Sequence, residues 1–327
     1  MKSRVRNIAI GVISTGALVV GGVMFAQGAF AAASADGFAS LNGGTTGGGS
    51  STSVTVTSLS ALTTAAKSST TEVVKVSGNF TCSADITVAS NKTILGVGSS
   101  SGLTGCGLKI KSVKNVIVKN MKIAKVLASN GNGDAIHIET ATNVWIDHND
   151  LSSDQNNGKD YYDGLCDITH AADYITVSWN KFHDHYKASL VGHSDSNASE
   201  DTGHLRVTYH HNYFLNINSR TPSLRFGKGH VYSNYFVNGD TGVHSRENAQ
   251  MLVQNNVFSG VSTPVMTTGD SPVDGYVNIS GNDFGGGTNN ITKTGSFTSP
   301  GYSYTLTATS SVKSTVTAGA GTGKITS

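Results

Sequence analysis

One short pattern recurs along the chain: alternating apolar residues are followed by asparagine, a variable residue, and an aromatic residue or leucine. Its copies are NVWIDHNDL (143–151), YITVSWNKF (174–182), LRVTYHHNYF (205–214), HVYSNYF (230–236), MLVQNNVF (251–258) and YVNISGNDF (276–284), with a weaker copy NVIVKNMKI (115–123). The recurring asparagines are Asn149, Asn180, Asn212, Asn234, Asn256 and Asn282. Their spacing of 22 to 32 residues is typical of a solenoid, in which each coil stacks on the preceding one.

The alternating runs predict β-strands, because no amphipathic helix lies between them. Asparagine tolerates the left-handed backbone of a tight bend, and asparagines stacked at one bend can form a hydrogen-bonded ladder with the phenylalanines stacked inside. A parallel β-helix of either hand accounts for the pattern. A β-sandwich is the alternative, but it does not require asparagine at the same point of every copy. Residues 58–66 predict a helix that covers the open end of the first coil.

The beginning of the chain is typical of a secretory signal. Basic residues precede an apolar run that ends near Phe25, and small residues offer cleavage after Ala31 or Ala35. We therefore expect a signal peptide at 1–31, a flexible segment at 36–53, and one β-helix domain at 54–327 that is secreted as a monomer. An uncleaved membrane anchor is the alternative, since the run approaches the ~20 residues of a membrane span.

Net charge and cysteine usage agree with an exported protein. The net charge is only +2 and no dense basic stripe is present, which argues against nucleic-acid and membrane-surface partners. Cys82 and Cys106 flank a strand–turn–strand stretch and are expected to form a disulfide, with Cys166 as a buried free thiol. The Thr- and Ser-rich end, 288–327, is expected to form a closing strand and a tail.

Unusual acidic residues gather in the middle coils. Asp134 opens a strand, and Asp163 and Asp167 lie in DGLCDIT, where Gly164 could bend the chain and bring the two carboxylates together. Several carboxylates without thiolate partners suit a hard cation, above all Ca²⁺. The alternative is that Asp163 caps a turn and Asp134 is solvated at a strand start.

Three cationic side chains fall in the same region. Lys187 and Arg220 each follow a strand of the repeat at a similar distance, so they should be neighbours on adjacent coils, and Arg225 lies just beyond Pro222. Beside a carboxylate cluster on a secreted solenoid, these groups could bind an acidic polymer. The alternative is that they are ordinary solvated surface residues.

The ordered set NVWIDH, DGLCDIT, YITVSWNKFHDHYKASLVGHSDS and SRTPSLRFGKGHVYSNYF resembles the pectate lyases of polysaccharide lyase family 1. The resemblance covers nearly the whole chain after the signal segment. It implies a right-handed single-stranded parallel β-helix with Ca²⁺ bound by Asp134, Asp163 and Asp167. It further implies Arg220 as the catalytic base, with Lys187 and Arg225 binding the substrate carboxylate. Ser223 departs from the basic or larger residue that many relatives carry.

The implied reaction is Ca²⁺-dependent β-elimination of polygalacturonate to 4,5-unsaturated oligogalacturonates. A pectin lyase acting on methyl esters is the closest alternative, although related pectin lyases lack this acidic set. A β-helix polygalacturonase would instead hydrolyse the polymer with paired carboxylates and water. A non-catalytic polysaccharide-binding β-helix would bind without cleavage.

Overall fold

The computed structural model describes residues 34–326. The signal peptide predicted at 1–31 lies outside these residues. Across the described range, no helix is both long enough and apolar enough to cross a membrane.

The described chain consists mainly of short strands separated by turns. The strands are β1 (Ser53–Val56), β2 (Glu72–Val76), β3 (Asn79–Thr81), β4 (Ile86–Thr87), β5 (Lys92–Gly96), β6 (Gly102–Thr104), β7 (Leu108–Lys111), β8 (Lys114–Lys119), β9 (Lys122–Ala124), β10 (Ile136–Glu139), β11 (Thr142–Asp147), β12 (Asp150–Ser152), β13 (Cys166–Thr169), β14 (Asp173–Ser178), β15 (Lys181–Lys187), β16 (Leu190–Val191), β17 (Arg206–His210), β18 (Tyr213–Ser219), β19 (Ser223–Arg225), β20 (Lys228–Tyr232), β21 (Tyr235–Arg246), β22 (Gln250–Gln254), β23 (Val257–Met266) and β24 (Tyr276–Ser280). The helices are a 3₁₀ turn at Gly37–Ser40, α1 (Leu59–Lys67), α2 (Ala198–Asp201) and α3 (Thr309–Gly319).

The strands form three parallel faces along one coil. The first sheet has the order β1-β2-β5-β8-β11-β14-β17-β20-β22-β24. The second runs β3-β6-β9-β12-β15-β18-β21 and the third runs β4-β7-β10-β13-β16-β19-β21, where the long strand β21 belongs to both. Strand neighbours run parallel and come from successive coils. The predicted parallel β-helix is confirmed.

Apolar residues at alternate strand positions fill the interior of the coil. In the first sheet, Val144, Ile175 and Val207 are aligned in register and fully buried. The second residue of each of the strands β15, β18, β21 and β23 is a phenylalanine. Phe182, Phe214, Phe236 and Phe258 stack with successive ring centroids 4.8, 4.9 and 4.4 Å apart. These distances are close to the ~4.8 Å strand spacing, so one phenylalanine per coil continues the stack.

The predicted asparagine ladder is also present. Its side-chain amides donate from coil to coil along Asn149, Asn180, Asn212, Asn234, Asn256 and Asn282, with N–O distances of 2.9 to 3.1 Å. The prediction that the ladder asparagines take the left-handed backbone of the bend is wrong, because the left-handed residue at each corner is the residue that precedes the ladder asparagine. His148 (φ 53°) and Trp179 (φ 54°) are examples. The ladder asparagines are therefore required for their amides.

A helix covers the open end of the first coil. Ser58 caps α1 by accepting a hydrogen bond from Ala61 N at 3.2 Å, and Leu62 and Ala66 bury the apolar side of α1 against the first coil, as predicted. The Cys82–Cys106 disulfide is present, and Cys166 is buried and free.

Two terminal segments differ from the prediction. The segment 36–53, expected to be flexible, packs on the outer face of the first sheet: Phe38 is buried and Gly48 N donates to Thr93 Oγ1 at 3.0 Å. The described part of 288–327 forms the helix α3 and isolated bridges rather than a closing strand. Val312 and Val316 of α3 are buried against the second sheet, which explains the helix.

Candidate active site

The six predicted site residues lie on adjacent coils, at or near the third sheet. Their positions are Asp134 just before β10, Asp163 before β13, Asp167 within β13, Lys187 at the end of β15, Arg220 between β18 and β19, and Arg225 at the end of β19. Strand β10 pairs with β13, β13 with β16 and β16 with β19, so successive coils align these residues on one side of the helix. Lys187 pairs with Ser219, which places it beside Arg220 as predicted.

Asp134 and Asp167 converge over Gly164. A Cβ atom at Gly164 would lie 2.5 Å from Asp167 Oδ1 and 2.7 Å from Asp134 Oδ1, so these carboxylate oxygens are close neighbours and only glycine fits between them. Gly164 N donates to Asp134 Oδ1 at 2.8 Å, and Leu190 N donates to Asp167 Oδ1 at 2.9 Å. The predicted bend at Gly164 is present.

Burial and mutual repulsion make this carboxylate pair unfavourable without a cation. Burial raises the pKa of Asp134, and the charge of Asp163 raises it further, while a hydrogen bond to His137 lowers it. Burial raises the pKa of Asp167 well above its ordinary value; the charge of Asp134 adds to this effect, and the charge of Arg220 opposes it. A bound cation would relieve both effects.

Asp163 is near this pair but is held by a lysine. Its side chain is 45% exposed, and Lys187 Nζ lies 3.1 Å from Asp163 Oδ1 and 3.0 Å from Asp160 Oδ1. Among the residues described, no group of three or more His, Cys, Asp or Glu side chains is arranged to hold a metal ion. The oxygens of Asp134 and Asp167 suit a hard cation, and Asp163, whose Oδ1 is held by Lys187, lies beside them.

Arg220 has an unusual backbone and a free side chain. Its φ is 60°, in the left-handed region that a non-glycine residue rarely adopts, and its carbonyl accepts a hydrogen bond from Ser189 N at 2.8 Å. The following Thr221–Pro222 peptide bond is cis. Within residues 34–326 the guanidinium of Arg220 forms neither a hydrogen bond nor an ion pair. It is therefore available to a ligand beside the carboxylates.

Arg225 differs from Arg220 because its guanidinium is already engaged by protein groups. Arg225 is 8% exposed; its Nε pairs with Asp195, and its Nη1 donates to Gly192 O at 2.7 Å. The adjacent coil adds Arg246, whose Nη2 lies 3.6 Å from Asp195 Oδ1. Nη2 of Arg225 keeps N–H donors that could reach a substrate.

Sequence reasoning missed several residues that hold the site together. Asp195 accepts a hydrogen bond from Ser271 Oγ at 2.7 Å in addition to its arginine contacts, and Asp160 shares Lys187 with Asp163. His185 is buried beneath the site: burial and the charge of Lys187 lower its pKa to about 4, so the ring is neutral and accepts from Tyr186 N at 2.8 Å. The sequence offered one signal for Asp195: it lies one coil length before Arg225, where a partner of Arg225 is expected.

Comparison with known proteins identifies the family. The sequence model of the pectate lyase family matches residues 1–325. The chain belongs to the pectate lyase family. It is thus a polysaccharide lyase of pectin degradation.

Named relatives and a solved structure extend this result. The chain is 53% identical over 289 residues to a probable pectate lyase A of Neosartorya fischeri, covering 88% of each sequence. It is 48% identical over 289 residues to pectate lyase A of Aspergillus niger, covering 88% of this chain and 87% of the relative. The structure of a Bacillus pectate lyase in complex with trigalacturonate superposes with a TM-score of 0.81 at 36% identity, covering 88% of this chain and 99% of that one.

Proposed function

We propose that the protein is a secreted, Ca²⁺-dependent pectate lyase that cleaves (1→4)-α-D-galacturonan by β-elimination. The observation that carries the proposal is the unpaired guanidinium of Arg220 beside the convergent carboxylates of Asp134 and Asp167. The similarity to a lyase solved in complex with trigalacturonate supports this substrate. The disulfide supports an oxidising, extracellular destination.

The acidic residues supply the cation site. Asp134 and Asp167 would hold Ca²⁺, with Asp163 as a third ligand once its carboxylate leaves Lys187. When bound, the ion would hold the uronate carboxylate and make its C5 proton more acidic.

The basic residues perform the elimination. Arg220, in its neutral form, takes the C5 proton, and the electron pair forms the C4–C5 double bond. The C4–O bond to the next sugar breaks, and the leaving oxygen keeps the bonding pair and takes a proton from water. Lys187 and Nη2 of Arg225 bind the carboxylate at C6, where negative charge accumulates in the transition state. At neutral pH an arginine side chain is nearly always protonated, so the neutral form that can accept a proton is scarce.

The first test compares substrates and ions. Purified protein is given polygalacturonate or highly methylated pectin, each with Ca²⁺ or with a chelator, and the absorbance of the unsaturated product is followed. We expect product only from polygalacturonate with Ca²⁺. Cleavage of methylated pectin in chelator would identify a pectin lyase, and reducing ends without the unsaturated product would identify a hydrolase.

The second test concerns the base. Arg220→Lys should abolish turnover, because the lysine ammonium has a different length and geometry, while polymer binding measured by calorimetry is retained. Arg206→Lys is the control, since Arg206 pairs with Asp173 away from the site and its exchange should leave turnover nearly unchanged. Near-normal turnover of the Arg220 variant would exclude Arg220 as the base.

A further inference from the structure

A polar cavity lies away from the candidate active site, on a different face of the β-helix. It has a volume of about 240 Å³ and is located between the outer surface of the second sheet and the end of α3. Strands β12, β15 and β18 contribute one residue each from successive coils, and the segment after α3 closes the other side. The lining residues are Asp150, Lys181, Tyr213, Thr317, Ala320, Gly321, Thr322 and Lys324.

The segment after α3 is fixed in place, so the cavity is a built feature of the fold. Gly321 N donates to Trp179 O at 2.8 Å. Thr322 Oγ1 donates to Ser99 O at 2.8 Å, and Gly323 N donates to Asn120 Oδ1 at 2.7 Å. Trp179 belongs to one of the coils that line the cavity, and Ser99 and Asn120 belong to earlier coils, so the wall is tied to three coils.

Two lysines give the cavity an excess of positive charge. Neither Lys181 nor Lys324 has an acidic partner within 4.0 Å in the described part of the chain. The one carboxylate in the wall, Asp150, accepts a hydrogen bond from His183 Nε2 at 3.1 Å, and its pKa is held below the ordinary value despite its burial. The cavity therefore presents two free ammonium groups and one carboxylate already engaged with a histidine.

The rest of the lining suits a sugar. Tyr213, Thr317 and Thr322 bring hydroxyl groups, and the Tyr213 ring stacks on Tyr235 at 5.4 Å, which provides a fixed aromatic surface. Asp150 is a strong acceptor for sugar hydroxyl groups, whereas it would repel a compact dianion such as phosphate. A volume near 240 Å³ corresponds to about eight liquid waters at roughly 30 Å³ each, comparable to one hydrated sugar ring.

We propose that this cavity binds a carboxylated sugar residue, a uronate, as a non-catalytic docking site for the acidic polysaccharide. Lys181 and Lys324 bind the carboxylate, and Asp150 and the wall hydroxyls bind the ring hydroxyls. The polymer as ligand rests on the proposed function; uronate binding itself does not.

The cavity is separate from the catalytic residues. Lys181 begins β15 and Lys187 ends it, and the left-handed backbone of Asp184 (φ 52°) bends the strand between them, so the two lysines are at most about 20 Å apart. A single sugar cannot reach both, but one polymer chain can occupy both sites. Binding at the second site raises the local concentration of polymer at the first.

The direct test follows backbone amide signals of ¹⁵N-labelled protein titrated with D-galacturonic acid, with galactose or with inorganic phosphate. The amides of Gly321 and Thr322 report on the cavity and that of Leu190 reports on the catalytic groove. We expect galacturonic acid to shift the cavity signals at lower concentration than either comparison compound. Equal responses to galacturonic acid and phosphate would overturn sugar recognition, and absence of any cavity response would overturn the site.

Two double variants remove equal charge. Lys181→Ala/Lys324→Ala changes the cavity, and Lys67→Ala/Lys313→Ala is the control, since Lys67 and Lys313 are exposed and lie outside the cavity. The cavity variant should bind galacturonic acid at Gly321 about tenfold more weakly and show a raised KM on polygalacturonate. Its turnover of trigalacturonate should equal that of the control, which also shows that it is folded. If both variants bind equally, the proposal fails. If the wild type binds galacturonic acid at Gly321 but cleaves no polymer, the proposed function fails and the site stands.

Discussion

Replacing Asn180 by alanine tests whether the asparagine ladder stabilises the coil as the structure indicates. The Asn180 side chain is fully buried and donates to Ile146 O at 2.9 Å and to Asn212 Oδ1 at 3.1 Å. It also accepts from Asn149 N and Nδ2, both at 2.9 Å. Alanine removes all four hydrogen bonds at a place without solvent.

The expected magnitude follows from the groups left without partners. The Asn149 N–H loses its acceptor and the Ile146 carbonyl loses a donor, each at about 1–3 kcal/mol for an unsatisfied buried polar group. Removal of the side chain also leaves a small cavity. We therefore expect the free energy of unfolding to fall by about 3–5 kcal/mol, which corresponds to a melting temperature lower by roughly 5 to 15 °C.

Asn282→Ala is the matched control, and calorimetry with urea unfolding is the assay. Asn282 is at the end of the ladder and partly exposed, so water can replace its contacts with Asn256 and Val253, and we expect a loss of about 1 kcal/mol. If the two variants differ by less than about 1 kcal/mol, the interior amides contribute no more than a surface asparagine. The stability of the coil would then come from apolar packing.

Three further predictions concern the site and its surroundings. Gly164→Ala should weaken Ca²⁺ binding by about 10- to 100-fold, measured as the shift of melting temperature with Ca²⁺, because the new Cβ displaces two carboxylates; Gly158→Ala, with nothing within 4 Å, should bind like wild type. Asp195→Asn should raise KM about tenfold or more with a smaller effect on kcat, because Arg225 loses its charged partner; an unchanged KM would show that Asp195 does not orient Arg225. Burial lowers the pKa of His183, but hydrogen bonds to two carboxylates outweigh burial, so the net pKa is raised. Protonated His183 therefore stabilises the fold fully below about pH 6.5, and this stabilisation is lost as the pH rises through the pKa of the folded state. His183→Gln should therefore lower the melting temperature more at pH 5 than at pH 9, and an equal loss at both would contradict this.

The fold was predictable because the repeat contains its own register. Each copy places an asparagine and a phenylalanine at fixed positions, and stacking one copy on the next brings identical residues together without further assumptions. Phe182 on Phe214 and Asn180 on Asn212 both follow from the sequence alone. The terminal segments lie outside the repeat, so the sequence did not predict α3. Its buried Val312 and Val316 are separated by Lys, Ser and Thr, and Ser and Thr have only modest helix propensity.

The corner geometry shows a limit of reasoning from residue type. Asparagine is enriched in left-handed backbone, and the repeat has an asparagine at a bend, so the sequence predicts a left-handed asparagine there. In the structure, residues as different as His148 and Trp179 take the left-handed position, which bulky non-glycine residues rarely adopt. The surrounding coil fixes the backbone there, because the following asparagine amide must face its neighbour, and tertiary contacts override the local preference.

The contacts of the site follow the same coil spacing as the core, which explains what could be anticipated and what could not. Gly164 contacts Asp134 across 30 positions, Lys187 contacts Asp163 across 24, and Arg225 contacts Asp195 across 30, all within the range of the repeat. Adding one coil length to a charged residue therefore finds the coil that contains its partner. It does not choose among the several acids on that coil, because the loops between second and third sheets differ in length. Asp160 and Asp163 both reach Lys187 for this reason, and only the folded loop decides how the lysine is shared.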